Sequence, residues 1–309
     1  MIHVLCMNPA IDKQYFVRDF IPGRSYTDQV PSLFPGGKGI NCARVFSQLG
    51  EPVHLIALLG ANADCITEEM RNRCDCIFLP VDGPCRVTVN IIDEKQDRET
   101  VLSERGPTAS PAVLAKLHSV LEACIMKGDI IVASGSLMCG LPRTLYREIS
   151  RLCENRQAKC ALDCNASLLP PSIEDAHYFL GKPNEMELCA MLGREPTSDP
   201  KELYAGALGM RHVYDNLLVS MGNNGGLLVT GKGAYKAKLP VIPIRSAVGS
   251  GDATFAGALT GFVRQMEDED ILRLAMACGL SNATHEEVGF VDPDEVHRLM
   301  GDIEVTRVS

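Results

Sequence analysis

The sequence predicts an α/β protein: a mostly parallel central sheet covered by helices on both faces, with a small β lid beside it. Three observations predict it. Near-continuous apolar runs such as "IHVLCM", "PVHLIALLG" and "DIIVAS" alternate with stretches whose apolar residues recur at helical spacing. Strands buried on both faces between amphipathic helices make a parallel sheet. Two stretches, 15–35 and 87–102, break that rhythm with shorter strands and turn residues. They flank the second strand–helix unit, so they either meet as a β flap or stand as two unrelated hairpins. No linker composition separates them from the rest, so a single domain over residues 1–309 is expected.

Taken in order, "IHVLCM" is the first strand. After an irregular stretch, "KGINCARVFSQLG" places Ile40, Ala43, Val45, Phe46 and Leu49 on one helical face and ends at Gly50. "PVHLIALLG" is a buried strand and "NADCITEEMRNR" the next helix. From Ala112 the pattern repeats: a helix to Met126, strand "DIIVAS", a helix from Leu141, strand "KCALDC". Strand "HYFLGK", helices near 185–192 and 201–210, and strand "NLLVSMG" follow. Late in the chain, "AVGSGDATFAGALTGF" puts a helix-like run directly after a glycine turn.

A net charge of −9, spread along the chain, argues against a general affinity for nucleic acid or anionic membrane. A phosphorylated ligand must then be held by helix N-termini and individual Lys or Arg residues. No stretch approaches the roughly 20 apolar residues that span a bilayer, and the N-terminus reads as a strand, not a signal peptide. The thirteen cysteines are scattered, many within apolar runs (Cys124, Cys160, Cys189, Cys278), as in a reduced cytoplasmic protein. "CDC" at 74–76 has no second pair at zinc spacing.

Five short motifs carry chemistry. Gly249 and Gly251 permit a tight turn, and the helix that follows points unpaired N–H groups and its positive dipole end at that turn, which makes an anion hole. Asp252 there is either an N-cap or a carboxylate that acts on a hydroxyl beside a phosphate. "NPAID" reads as the end of the first strand, with Asp12 at the carboxyl edge where open α/β sheets bind ligands; it is a turn residue or an acceptor for sugar hydroxyls. "PGGKGIN" (35–41) matches neither the Walker nor the dinucleotide pattern, and its glycines, Lys38 and Asn41 suit a polyol better than a pyrophosphate. In "KPNEMEL", Asn184 and Glu187 fit a plain capping box, or else a hydrated Mg²⁺ with Lys182 near triphosphate oxygens. "SMGNNGG" (220–226) is a hairpin turn or a nucleotide wrap.

In this order, "NPAID", "GGKGIN", "SGSL", "KPNEMEL", "SMGNNGG" and "VGSGDATFAG" resemble the series of the ribokinase-like carbohydrate kinases, the phosphofructokinase B family, from Met1 to about Gly289. "NPAID" with "SERGP" (103–107) is most similar to its 1-phosphofructokinase and tagatose-6-phosphate kinase branch. The resemblance implies a three-layer α/β/α fold with lid segments at about 12–35 and 76–104. It implies ATP and Mg²⁺ as cofactors, a ketohexose phosphate as acceptor, and a lid that serves as a homodimer surface. Asp252 would be the catalytic base, with Gly249, Ser250 and Gly251 offering N–H groups to the transferring phosphoryl. Asp12, Gly36, Gly37, Lys38 and Asn41 would hold the sugar, and Arg86 the phosphate already on it. Ser220, Gly222 and Gly225, with Lys182, Asn184 and Glu187, would hold Mg-ATP.

The chain departs from the branch in places. "GRSYTD" replaces an Asn-Arg pair after the first lid turn, which makes Arg24 the candidate for the missing phosphate contact. "SGSLMCG" lacks two prolines, and Ala247 and Ser250 stand where Thr and Ala are common. Two rival readings stay open: a kinase of the same fold for an unphosphorylated sugar or nucleoside, and a non-catalytic sugar or nucleotide sensor. A nicotinamide dehydrogenase lacks its glycine fingerprint after the first strand.

Overall fold

The computed structural model describes residues 1–96 and 98–308. Asp97, inside the second expected lid segment, and Ser309 lie outside the described residues. In chain order the elements are β1 (Ile2–Cys6), β2 (Ala10–Val17), β3 (Ser32–Gly36), α1 (Lys38–Gln48), β4 (Val53–Leu59), α2 (Asp64–Arg71), β5 (Asp75–Pro80), β6 (Arg86–Asp93) and β7 (Arg98–Ser103). There follow α3 (Pro111–Cys124), β8 (Ile130–Ser134), α4 (Leu145–Asn155), β9 (Lys159–Asp163), α5 (Leu169–Ile173), β10 (Tyr178–Gly181), α6 (Glu185–Met191) and α7 (Pro200–Gly209). The last part comprises β11 (Tyr214–Ser220), β12 (Gly226–Val229), β13 (Ala234–Lys238), α8 (Ser250–Val263), α9 (Asp268–Thr284), α10 (Pro293–Asp302) and β14 (Glu304–Arg307).

Ten strands form one sheet in the order β14-β13-β12-β11-β10-β9-β8-β1-β4-β5. From β11 to β5 every pairing is parallel; β12, β13 and β14 extend it antiparallel. The period-2 alternation of a strand splits its side chains between two cores. Ile2, Val4 and Cys6 of β1 face the layer built from α1, α2, α8, α9 and α10. Leu5 and Met7 face the opposite layer, built from α3 to α7. The expected α/β/α sandwich follows directly from strands apolar on both faces. Helices α8 and α9 are buried on nearly every side, as helices apolar all round must be. Among the described residues no helix is long and apolar enough to cross a membrane.

A second sheet, in the order β3-β2-β6-β7, stands off the first. The two irregular stretches therefore meet as one β flap: β2 pairs parallel with β6 over its whole length. Its boundaries differ from expectation in two respects. The segment expected to begin at 76 begins at Arg86, because Asp75–Pro80 pairs with β4 as the edge strand of the main sheet. "NPAID" is not the end of the first strand: β1 stops at Cys6, and after Pro9 the chain starts β2 at Ala10. Proline has no N–H for a central ladder, so a new strand in a different sheet begins there.

Candidate active site

The parallel strands end on one edge. Ser134 of β8, Asp163 of β9, Lys182 after β10 and Ser220 of β11 all stand there, where open α/β sheets bind ligands. The N-termini of α1 and α8 converge on the same edge. Asn41 Nδ2 donates to Asp252 Oδ2 at 2.8 Å, and Lys38 Nζ donates to Asp252 Oδ1 at 3.0 Å. Lys38 also reaches Asp163 Oδ2 at 3.1 Å, and Lys182 Nζ lies 3.6 Å from that oxygen. Asp252 and Asp163 are buried, at 5% and 4% exposure, as is Lys182 at 6%. Burial by itself would lower the Lys38 ammonium, but the Asp163 and Asp252 charges outweigh it and hold the group well above its ordinary range.

Asp252 lies in the first turn of α8, whose cap position is Gly249 in the left-handed region at φ 80°. The Ser250 N–H closes the turn on the Ala247 carbonyl at 3.2 Å, so it is engaged within the turn and not open to an anion, whereas the resemblance implies that it would be. Among the described residues the Gly251 and Asp252 N–H groups make no backbone hydrogen bond. A Cβ on Gly251 would lie 3.4 Å from Lys182 Nζ, which puts a buried ammonium beside the helix N-terminus. Together they set positive charge at the α8 end of a recess that also carries the Asp252 and Asp163 carboxylates.

The lid base closes the recess on its other side. Asp12, on β2, is buried at 6% exposure. The absence of a side chain on Gly36 makes room for it, because a Cβ there would lie 2.1 Å from Asp12 Oδ2. Burial pushes the Asp12 carboxyl up to about 6, against the Thr88 hydroxyl and the Arg86 and Arg44 charges; the Asp252 charge adds to the rise. Gly37 precedes α1 with φ 107°. Arg86 starts β6 beside Ala10, and its guanidinium donates to the Asn8 carbonyl at 3.2 Å and to Ser103 Oγ at 2.7 Å. Arg24 is not gathered in: it stands exposed in the loop after β2, where its charge acts on Asp19.

A cavity of about 250 Å³ opens next to α8. Ser220, Gly222, Gly225, Ser250, Gly251 and Thr254 line one part of it, and Leu239, Ile244, Met276 and Leu280 another. The stretch 220–226 is a hairpin, since Ser220 pairs with Gly226 across the β11–β12 turn, and its Ser220, Gly222 and Gly225 face the cavity. Asn184 and Glu187 form the capping box of α6: Asn184 Oδ1 accepts from the Glu187 N–H at 2.8 Å, and Glu187 Oε2 from the Asn184 N–H at 2.9 Å. Glu187 Oε1 takes no part in the box. The Asn184 backbone pairs with Ser220, which brings this helix start beside the cavity.

Three participants were missed from sequence. Asp163 ends an apolar strand and reads there as an ordinary turn acid; only the two lysines that converge on it mark it out. Glu99 of β7 has its carboxyl raised by partial burial and by the Asp12 charge, and nothing in a lid strand of mixed residues signals that. Asn282, inside α9, ties the turn before α8 to a neighbouring loop, and helical periodicity gives no hint of it.

A family model described as pfkB family carbohydrate kinase matches residues 3–295. The chain is similar to a 1-phosphofructokinase of Bacillus subtilis, 31% identical over 314 residues and covering 100% of both chains. It is 32% identical over 314 residues to a tagatose-6-phosphate kinase of Staphylococcus epidermidis, again over 100% of both. Phosphofructokinase-2 of Escherichia coli, solved in complex with substrates and products, has the same fold, with a TM-score of 0.90 at 22% identity over 97% of this chain and 98% of that one. The match runs nearly end to end, and the chain belongs to the pfkB family of carbohydrate kinases.

Proposed function

We propose that the protein transfers the γ-phosphoryl group of ATP to a hydroxyl of a ketohexose phosphate, of the fructose 1-phosphate or tagatose 6-phosphate type. The observation that carries the reading is the meeting of two motifs 211 positions apart, with Asn41 and Lys38 of "GGKGIN" on the two oxygens of the buried Asp252. Asp252 is the general base. An acceptor hydroxyl takes a place at its carboxylate, gives up its proton there, and attacks the γ-phosphorus in line. Lys38, a third exposed on its long stem, moves its charge from the carboxylate toward the phosphoryl oxygens. The open N–H groups at the start of α8 and the Lys182 ammonium meet the same charge. Such a transfer depends on positioning and electrostatics, and the recess offers both.

Asp12 and Asn41 hold the sugar. Two buried amide oxygens, Asn8 Oδ1 and Asn41 Oδ1, have no hydrogen-bond partner among the described residues, as acceptors reserved for a polyol's hydroxyls would. Arg86 binds the phosphate already on the acceptor. ATP occupies the cavity beside Ser220, Gly222 and Gly225, its base against the aliphatic wall. The residues present fit a hydrated Mg²⁺, which asks for one or two carboxylates and keeps waters and phosphate oxygens as its other ligands. Glu187, through Oε1, and Asn184 would hold it by way of water. The ion would neutralise charge on the β- and γ-phosphates. Leu33, Val101 and Leu102, 55%, 52% and 61% exposed on the lid, suit pairing with a second copy, which light scattering reads as a dimer mass.

One arrangement favours the unphosphorylated acceptor instead. Arg24 stands exposed in the loop after β2, away from the recess, which does not help an anion. The deciding experiment is ADP release from Mg-ATP across fructose 1-phosphate, fructose 6-phosphate, tagatose 6-phosphate, fructose, ribose and a nucleoside. Strong preference for one sugar phosphate is expected. Turnover confined to a free polyol would move the acceptor class and discard the Arg86 assignment.

A further inference from the structure

We propose that Asn282, inside α9, is a positioning residue that holds the 248–251 turn in the shape that receives the transferring phosphoryl group. The proposal rests on the reading of that turn as the anion hole. A helix start is ordinarily fastened by a side chain that caps its first amides. Here the cap residue is Gly249 and no side chain caps the helix. A capping oxygen would occupy the N–H groups that an anion needs, so the turn must be held from elsewhere.

Asn282 does this from the neighbouring helix. It is 1% exposed. Its Nδ2 donates to the Val248 carbonyl at 2.8 Å and to Ser250 Oγ at 3.1 Å, and its Oδ1 accepts the Gly289 N–H at 2.7 Å. A Cβ on Gly249 would lie 2.8 Å from Gly289 N and 3.1 Å from Asn282 Oδ1, so turn, amide and loop are in contact. The loop is anchored in its own right. The buried Arg44 guanidinium donates to the Val288 carbonyl and, at 2.9 Å, to the Pro35 carbonyl of β3 in the lid. Gly289 also abuts Asn41, since a Cβ on it would lie 2.9 Å from the Asn41 Cα. The anion turn, the partner of Asp252 and the lid base therefore share one support, and Asn282 is its link to the turn. The position needs a donor and an acceptor on one short side chain. Aspartate would set an acceptor against the Val248 carbonyl and bring negative charge toward the phosphoryl.

The test compares the intact chain with Asn282→Asp and Asn282→Leu, using Ser281→Ala as a matched control. Ser281 is as buried, and among the described residues its hydroxyl bonds to Glu295 and the Asp292 N–H and not to the turn. Thermal unfolding is followed with Mg-ADP alone and with Mg-ADP plus aluminium fluoride, a mimic of the phosphoryl group in flight. Wild type and Ser281→Ala are expected to gain a further shift from the fluoride. The Asn282 variants should keep the ADP shift and lose that further gain, and their kcat should fall about 10- to 10²-fold with KM for ATP nearly unchanged. If both variants unfold, Ser250→Ala, which removes one of the two turn contacts, is expected to lose part of the gain. Retention of the full fluoride shift in the Asn282 variants, or a kcat loss no larger than that of Ser281→Ala, overturns the role. Absence of the fluoride shift in wild type overturns the anion hole and this role with it, a failure recognisable because it appears before any substitution.

Discussion

Lys38 spans Asp252 and Asp163, with Nζ 3.0 Å from one carboxylate and 3.1 Å from the other. Both acids are almost wholly buried and face a common recess. Two such charges are tolerated only with a cation between them, so Lys38 serves the fold as well as the proposed reaction. Lys38→Met is expected to cost about 3 kcal/mol of stability, read by urea denaturation, and to lower kcat by about 10²-fold. A stable variant with intact turnover would remove Lys38 from both roles.

Asp252→Asn tests the base while leaving the shape of the site in place. The amide can still accept from Asn41, and Lys38 keeps Asp163. A general base contributes about 10²- to 10⁴-fold in rate, so turnover should fall by at least that factor. ATP affinity, measured by calorimetry, should change by less than about threefold. Near-normal turnover would assign the proton to another group.

Much of this architecture could be read from sequence, because strands apolar on both faces admit few arrangements. The glycine turn before Asp252 was equally legible: its residues act within a few positions of one another. What escaped depends on distance. Asp163 is distinguished only by Lys38, 125 positions earlier, and by Lys182. Asn282 faces a turn 34 positions away, in a helix so fully buried that no polar face marks it. The sequence marks Asp12 as a candidate but sets it at the end of the first strand, because an apolar run followed by "NPAID" looks continuous until Pro9 is weighed as a break between sheets. The resemblance implies the Ser250 N–H as a donor to the anion, whereas in the structure it closes the turn.

Arg86 is the residue on which acceptor class turns. In the structure its guanidinium donates to two neutral oxygens, Asn8 O and Ser103 Oγ, and its charge also acts on the nearby Asp12 carboxyl; a phosphate would compete for that charge. A hydrogen bond to a charged group is worth about 1.5–3 kcal/mol. Arg86→Gln should therefore raise KM for a sugar phosphate by about 10- to 10²-fold and leave that for a free sugar nearly unchanged. Equal changes for both acceptors would argue for a structural role at the lid base.

Asp12 joins binding to a pH dependence whose sign can be worked out. Its carboxyl stands at about 6, against an ordinary 3.8. Between those values the native chain holds a proton that the unfolded chain has released, so this group's contribution to stability falls as pH rises across the window. The whole effect is about 3 kcal/mol, fully felt at neutral pH, where ionised Asp12 is a cost to the fold. Asp12→Asn should thus raise the midpoint of unfolding at pH 7 and flatten the pH dependence of stability between about pH 4 and 6. The same substitution removes the acceptor for sugar hydroxyls, so KM for the acceptor should rise about tenfold or more while KM for ATP holds. In the wild type, acceptor KM should climb as pH falls below about 6, because protonation takes away the ionised oxygens that hold the sugar. A flat acceptor KM from pH 5 to 8, with no stabilisation in Asp12→Asn, would mean that the buried carboxyl neither costs the fold anything nor touches the substrate.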